Sequence, residues 1–165
     1  MNKSDHTKLQ ILARLAEYAS VEGLSALTYG TAAEAAHLSR GALQRYFSTR
    51  EQMLVAVLDH TMTMLHTTVF LISRTPEETR AKWFRWLDGR GALSGGCVLV
   101  ATASQQSVSD DPDTPNDAVA VTIKAHIATV LHALAEWCCA GDLDAAWRLY
   151  GEGLAHRQRI RLGLA

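Results

Sequence analysis

Thr31-Ala32-Ala33-Glu34-Ala35-Ala36-His37-Leu38-Ser39-Arg40-Gly41-Ala42-Leu43-Gln44-Arg45-Tyr46-Phe47 is the stretch that decides the fold. It reads as two short helices, residues 31–36 and 40–47, joined by a three-residue turn, which is the helix-turn-helix pattern. Ala33 puts a small side chain where the two helices must cross. Ala32, Ala36, Leu38, Leu43 and Tyr46 are spaced to hold the pair against an earlier helix. Ser39 is a good N-cap for the second helix. His37 stands in the turn, and histidine is among the non-glycine residues enriched in left-handed geometry.

Working outward, apolar residues at helical spacing predict a first helix over residues 7–21, with Leu9, Leu12, Ala13, Ala16 and Ala19 as its stripe. Gly23 ends it. Residues 29–36 form the next helix. Downstream, Thr49 caps a long helix over residues 50–73, with Gln52 placed to complete a capping box. Leu54, Val57, Leu58, Thr61, Leu65, Val69 and Ile72 form its stripe. Thr75, Pro76, Glu77 and Glu78 are a start signal for a fifth helix reaching residue 87, because proline suits the first helical position and acids suit the positive helix end. Residues 89–96 are a glycine-rich connection. Residues 97–107 are ambiguous between strand and helix, and their helical surroundings favour helix. An acidic loop at 108–114 precedes a long helix over 115–139. Gly141 and Asp142 break it, and a last helix covers 143–161. The expected class is all-α. Residues 1–50 are expected to form an N-terminal helix-turn-helix domain, and residues 51–165 a C-terminal helical bundle.

Composition narrows the function. Apolar residues make up 48% and charged residues 20%, as in ordinary soluble domains, and the formal net charge of −1 announces no polyanion partner. The distribution says more. No acid occurs between Ala35 and Arg50, while Arg40, Arg45 and Arg50 recur. The N-terminus has no apolar leader core, and no uninterrupted apolar run suggests a membrane span. The three cysteines, Cys97, Cys138 and Cys139, lack metal-ligand spacing. A reduced, cytoplasmic setting is expected, with no membrane partner, no cofactor and no metal. Enzyme signatures are missing: no nucleophile motif, no His-Glu-x-x-His, and no lysine in the glycine run to make a phosphate loop. An enzyme is therefore not expected.

On the second short helix, Leu43 and Phe47 share an inward face. Gly41, Gln44, Arg45 and Ser48 face outward, with Arg40 at the flank. In a major groove, Gln44 can pair with adenine and Arg45 or Arg40 with guanine or phosphate. Gly41 lets backbone approach, and Arg50 is placed for phosphate.

The run from Gly23 to Leu54 resembles the DNA-binding region of the TetR family of transcriptional regulators. The resemblance is carried by Gly23-Leu24-Ser25-Ala26-Leu27-Thr28, by Ala32 through Leu43, and by Tyr46-Phe47-Ser48-Thr49-Arg50-Glu51 with Leu54. It covers about the first third of the chain. It departs from the family at His37, where glycine is common, and at Gln44, where an aromatic is often found. Gly95-Gly96-Cys97 followed by Val98-Leu99-Val100-Ala101 is similar to a motif in one branch of such regulators.

The resemblance implies that Thr28, Ser39, Arg40, Gln44, Arg45, Tyr46 and Arg50 lie at a DNA surface. It implies double-stranded operator DNA as partner, a homodimer, and a small-molecule effector held by the C-terminal helices. Met62, Leu65, His66, Trp83, Trp86, Cys97 and Thr102 are candidate effector contacts, with plain core packing as the alternative for each. Val119, Ile123, His126, Val130, Leu149, Tyr150, Gly153 and Leu154 are candidates for the dimer face. The implied function is a ligand-responsive repressor. A helical protein-interaction module that does not bind DNA is the alternative, and activation in place of repression stays open.

Overall fold

The computed structural model describes residues 3–88 and 118–164. Among the described residues it holds α1 (Lys3–Glu22), α2 (Tyr29–Ala36), α3 (Arg40–Tyr46), α4 (Arg50–Leu65), α5 (Pro76–Leu87), α6 (Ala118–Cys138) and α7 (Leu143–Arg161), with no strand. The expected effector contacts Cys97 and Thr102, and the expected helix over 97–107, lie outside the described residues.

Local signals in the sequence set most helix ends. The Oγ of Ser39, Thr49 and Thr75 accepts the N–H of Ala42, Gln52 and Glu78 at 3.1, 3.1 and 3.2 Å. Each satisfies one of the unpaired donors of a first turn. Thr28 and Thr31 form a reciprocal capping box on α2. Gln52 does not close a second one. Its Oε1 takes the Ser48 hydroxyl at 2.6 Å instead. Gly23 ends α1 at φ 90°, a backbone region that favours glycine.

Two helices differ from their expected form. The buried stripe of α1 is Ile11, Leu12, Leu15, Ala16 and Ala19, while Leu9 is 44% exposed. The helix is thus rotated away from the Leu9–Ala13 edge of the expected stripe. The long helix over 50–73 leaves α geometry at His66, where a π turn spans His66–Phe70. A run of threonines accounts for this. The hydroxyls of Thr63, Thr67 and Thr68 bond back to the carbonyls of Asp59, Thr63 and Met64 at 2.9, 2.8 and 2.5 Å. Such back-bonding competes with the backbone ladder and loosens it.

α4 is the axis of the molecule. Met53, Leu54, Val57, Leu58, Thr61 and Leu65 are buried along it. α1 and α6 both pack on it. By length and composition the Arg50–Phe70 and Ala118–Cys138 segments each reach the threshold for a membrane span, with mean hydropathy 1.2 and 1.6. The first spends its apolar face on this core. The second is apolar on more than one side, so Val121, Ala125 and Ala128 stay exposed.

α5 and α7 close the far end of the core. Trp83, Trp86 and Leu87 are buried against Ala146, Leu149 and Tyr150, and the Trp83 and Tyr150 rings stack at 6.1 Å. Gly153 permits the approach. A Cβ there would lie 2.6 Å from Leu87 Cδ1 and 3.0 Å from Trp83 Nε1. Gly153→Ala is therefore expected to destabilise the fold by about 1–3 kcal/mol, as overpacking does. Gly151, with open space around it, is the control: Gly151→Ala should be neutral or stabilising in the same urea titration. Equal effects at both positions would mean that α5 and α7 are not in this register.

Candidate nucleic-acid interface

α3 is held from below and open above. Leu43 and Phe47 are 0% and 2% exposed, and Ala32, Ala33 and Ala36 of α2 are buried beneath the crossing. The Tyr29 hydroxyl donates to the Phe47 carbonyl at 2.8 Å, and Lys8 Nζ sits 5.5 Å from the centre of the Phe47 ring. Arg14 Nη1 donates to the Ala36 carbonyl at 3.0 Å, fastening the C-terminus of α2 to α1.

The turn is tight because His37 adopts φ 54°, ψ 45°. The N–H of Leu38 then reaches the Ala33 carbonyl at 2.9 Å, and that of His37 the Glu34 carbonyl at 3.0 Å. This pair of bonds is the Schellman pattern, which usually takes glycine at the left-handed residue. Histidine fills that position here without changing the pattern.

On the open side, Ser39, Arg40, Gly41, Gln44 and Arg45 are exposed, and Tyr46 is half-buried. Nothing lies within 4 Å of the position a Gly41 Cβ would take, so the backbone of the first turn of α3 is bare. Thr28, at the start of α2, is exposed beside them. A Cβ on Gly30 would meet Arg40 Nη2 at 3.0 Å and Thr28 Oγ1 at 3.6 Å. The Arg40 guanidinium therefore lies across the N-terminus of α2, next to Thr28. Gly30 makes that possible, and the sequence reading did not single it out. Its only signal was a glycine inside an otherwise helical run. Lys8 was missed as well, since nothing local places the start of α1 beside α3.

Arg50 behaves differently from the other arginines. Its Nε donates to the Leu27 carbonyl at 2.7 Å and its Nη2 to the Ser25 carbonyl at 2.9 Å. It ties the start of α4 to the turn before α2, which spends two of its donors inside the protein. Arg50→Ala is expected to lower stability by about 1–2 kcal/mol, less than a buried charged hydrogen bond because the site is solvated. Thermal melting of the free protein checks this. An unchanged melting temperature would leave Arg50 with a phosphate role alone.

The expected effector contacts are scattered. Leu65, Trp83 and Trp86 are buried, Met62 is half-buried, and His66 is exposed, 6.4 Å from the Phe70 ring centre. The indole N–H groups of Trp83 and Trp86 and the Tyr150 hydroxyl are buried without a hydrogen-bond partner among the described residues. Burial pushes the Tyr150 hydroxyl up to about 12.

The residues expected at the dimer face lie mostly inside one protomer. Val119, Ile123, Val130, Leu149 and Tyr150 are 1–7% exposed inside one protomer, where they complete its own core. Gly153 is filled by Leu87 and Trp83, and Leu154 is half-buried. His126 turns inward to α4, with Nε2 3.0 Å from Asp59 Oδ1. Burial holds its pKa below the usual histidine value, against the opposing pull of Asp59. A neutral ring donating from Nε2 fits both observations. The faces of α6 and α7 that remain open carry Val121, Ala125, Ala128 and His132 on one helix, and Leu143, Trp147, Gly151 and Ala155 on the other.

No family model matches the sequence. No curated protein matches it either. Among solved structures the chain is similar to a TetR-family transcriptional regulator from Streptomyces coelicolor, at 17% identity, over 94% of this chain and 95% of that chain, with a TM-score of 0.54. The chain thus has the all-α, TetR-like fold.

Proposed function

We propose that this protein is a ligand-responsive DNA-binding transcriptional regulator, a non-enzymatic, cytoplasmic homodimer that represses from a pseudo-palindromic operator. The observation that carries the reading is α3. It is buried through Leu43 and Phe47 and open through Ser39, Arg40, Gly41, Gln44 and Arg45, with no acid on it. Such a helix can enter a major groove. Gln44 would read adenine, Arg45 guanine, and Arg40 with Thr28 a flanking phosphate. Tyr46 and Ser39 would border the same strand. Residues 1–50 would act as the DNA-binding unit and residues 51–165 as the effector-binding and dimerisation unit.

Dimerisation would use the open faces of α6 and α7. Trp147 is 57% exposed and Val121 50% exposed, with Ala125 and Ala128 providing close approach. An isologous contact of this kind would set two recognition helices roughly 34–36 Å apart, one turn of DNA. An effector would bind near Trp83 and Trp86, whose buried indole donors have no partner among the described residues. It would release the operator by binding better to the arrangement of α4 that does not fit DNA. α4 supports this role because it starts at the α3 junction and ends in the loosened π turn.

The test is a fluorescence anisotropy titration against DNA upstream of the protein's own gene, at two salt concentrations. Saturable binding that prefers this DNA and weakens with salt is the expected result, because neutralising phosphates releases counterions. Binding that ignores salt and sequence would favour a helical protein-interaction module instead, the reading that the exposed Glu34 on α2 would suit.

A further inference from the structure

A cleft of about 480 Å³ opens at the far end of the bundle from α3, where the start of α5, the end of α6 and the first turns of α7 meet. Its walls include Pro76 and Glu77 from α5, Cys138 and Cys139 from α6, and Arg148 and Leu149 from α7. Both cysteines line this one space, both are free, and both are half-buried. Neither belongs to the α3 surface, and both pack at the edge of the hydrophobic core.

Three chemistries compete for adjacent thiols. A disulfide between them is disfavoured by geometry. Neighbouring Cα atoms stand about 3.8 Å apart, short of the roughly 4.4–6.8 Å that a disulfide spans. Thiolate-dependent chemistry is disfavoured too. Burial, reinforced by Cys139, pushes the Cys138 thiol up to about 11. Burial and the Asp142 carboxylate raise Cys139 as well. A metal site with three or more protein ligands is not supported, since no group of three or more His, Cys, Asp or Glu side chains suited to a metal occurs among the described residues. The remaining ligand class is one that accepts two neutral thiols at one atom and so relaxes the ring that a disulfide would strain.

We propose that the Cys138–Cys139 cleft is a binding site for trivalent arsenicals, held by both sulfurs at one arsenic. For an organic arsenous acid the exchange balances simply. Each As–OH bond is replaced by an As–S bond, and each thiol proton leaves with the hydroxide as water. The arsenic stays trivalent and no oxidant is needed. Leu149 and Ala145 offer the organic group an apolar wall. Arg80 pairs with Glu152 at 2.9 Å at the rim of the cleft, between α5 and α7.

The probe is phenylarsine oxide, titrated against the full chain under reducing conditions and read by intact mass and by tryptophan fluorescence. Trp137 adjoins Cys138 in sequence, so its emission should report occupancy. Closing the second As–S bond is intramolecular, so Cys138→Ser and Cys139→Ser should each weaken binding by about 10²–10⁴-fold. In the parent protein, dimercaptopropanol should strip the adduct while the same concentration of a monothiol leaves it, a result that needs no variant to fold. An adduct that survives in either single variant, or that a monothiol removes as readily, would overturn the proposal. None of these readouts involves DNA, so the site stands or falls apart from the operator.

Discussion

Arg45→Ala is expected to weaken operator binding by about 1–3 kcal/mol and to relax preference at one base-pair position. Arg45 projects from the exposed face of α3, two residues past the buried Leu43. Among the described residues it makes no hydrogen bond of the kind that holds Arg50, so its guanidinium is open to the edge of a guanine. A bidentate contact of that type discriminates by about 1–3 kcal/mol against the wrong base. The measurement is anisotropy with the parent operator and a set of single-position variants. Loss on the parent sequence with the preference flattened at one position supports a base contact. Uniform loss on every sequence, with a shallower salt slope, assigns Arg45 to phosphate. No change at all would mean that α3 does not meet DNA through this face. Because Arg45 is exposed, melting should be nearly unaffected, and that separates this variant from Arg50→Ala.

Trp83→Ala is expected to produce the largest loss of stability, about 3–5 kcal/mol. Trp83 is 2% exposed, its ring stacks on Tyr150, and its indole nitrogen lies against Gly153. Removing the ring opens a cavity between α5 and α7 that neither backbone can close, because Leu87 and Tyr150 are already fixed by their own packing. Urea unfolding of the parent and variant checks the value. Trp83→Phe refines it. It keeps most of the buried area and removes a donor that has no partner among the described residues, so it should cost much less. If Trp83→Phe instead abolishes an effector response while leaving the melting curve close to the parent, the indole N–H is a ligand contact and more than filler. A Trp83→Ala protein as stable as the parent would overturn the packing described for α5 and α7.

Sequence alone determined most of the local framework. Ser39, Thr49 and Thr75 are caps because a hydroxyl followed by free N–H groups is a short-range signal. The α2-turn-α3 unit was legible for the same reason, down to His37 in a left-handed turn. The split of α3 into a buried face and an open face followed from its helical period, with Leu43 and Phe47 on one side and Gln44 and Arg45 on the other. Even the class of the fold was readable, since the apolar stripes recur at helical spacing along most of the chain.

Tertiary structure decided what periodicity leaves degenerate. α6 is apolar on nearly every side, so its sequence names no inner face. Packing on α4 chose Val119, Ile123 and Val130 for the core and left Val121, Ala125 and Ala128 outside. Gly151 and Gly153 look alike in sequence, yet only the second meets Leu87 and Trp83. Arg50 and Arg45 are equally cationic, but long-range geometry hands Arg50 the carbonyls of Leu27 and Ser25. In each case the deciding contact joins residues far apart in the chain. A local pattern fixes which residues share a face, but only the packed neighbour fixes what that face meets.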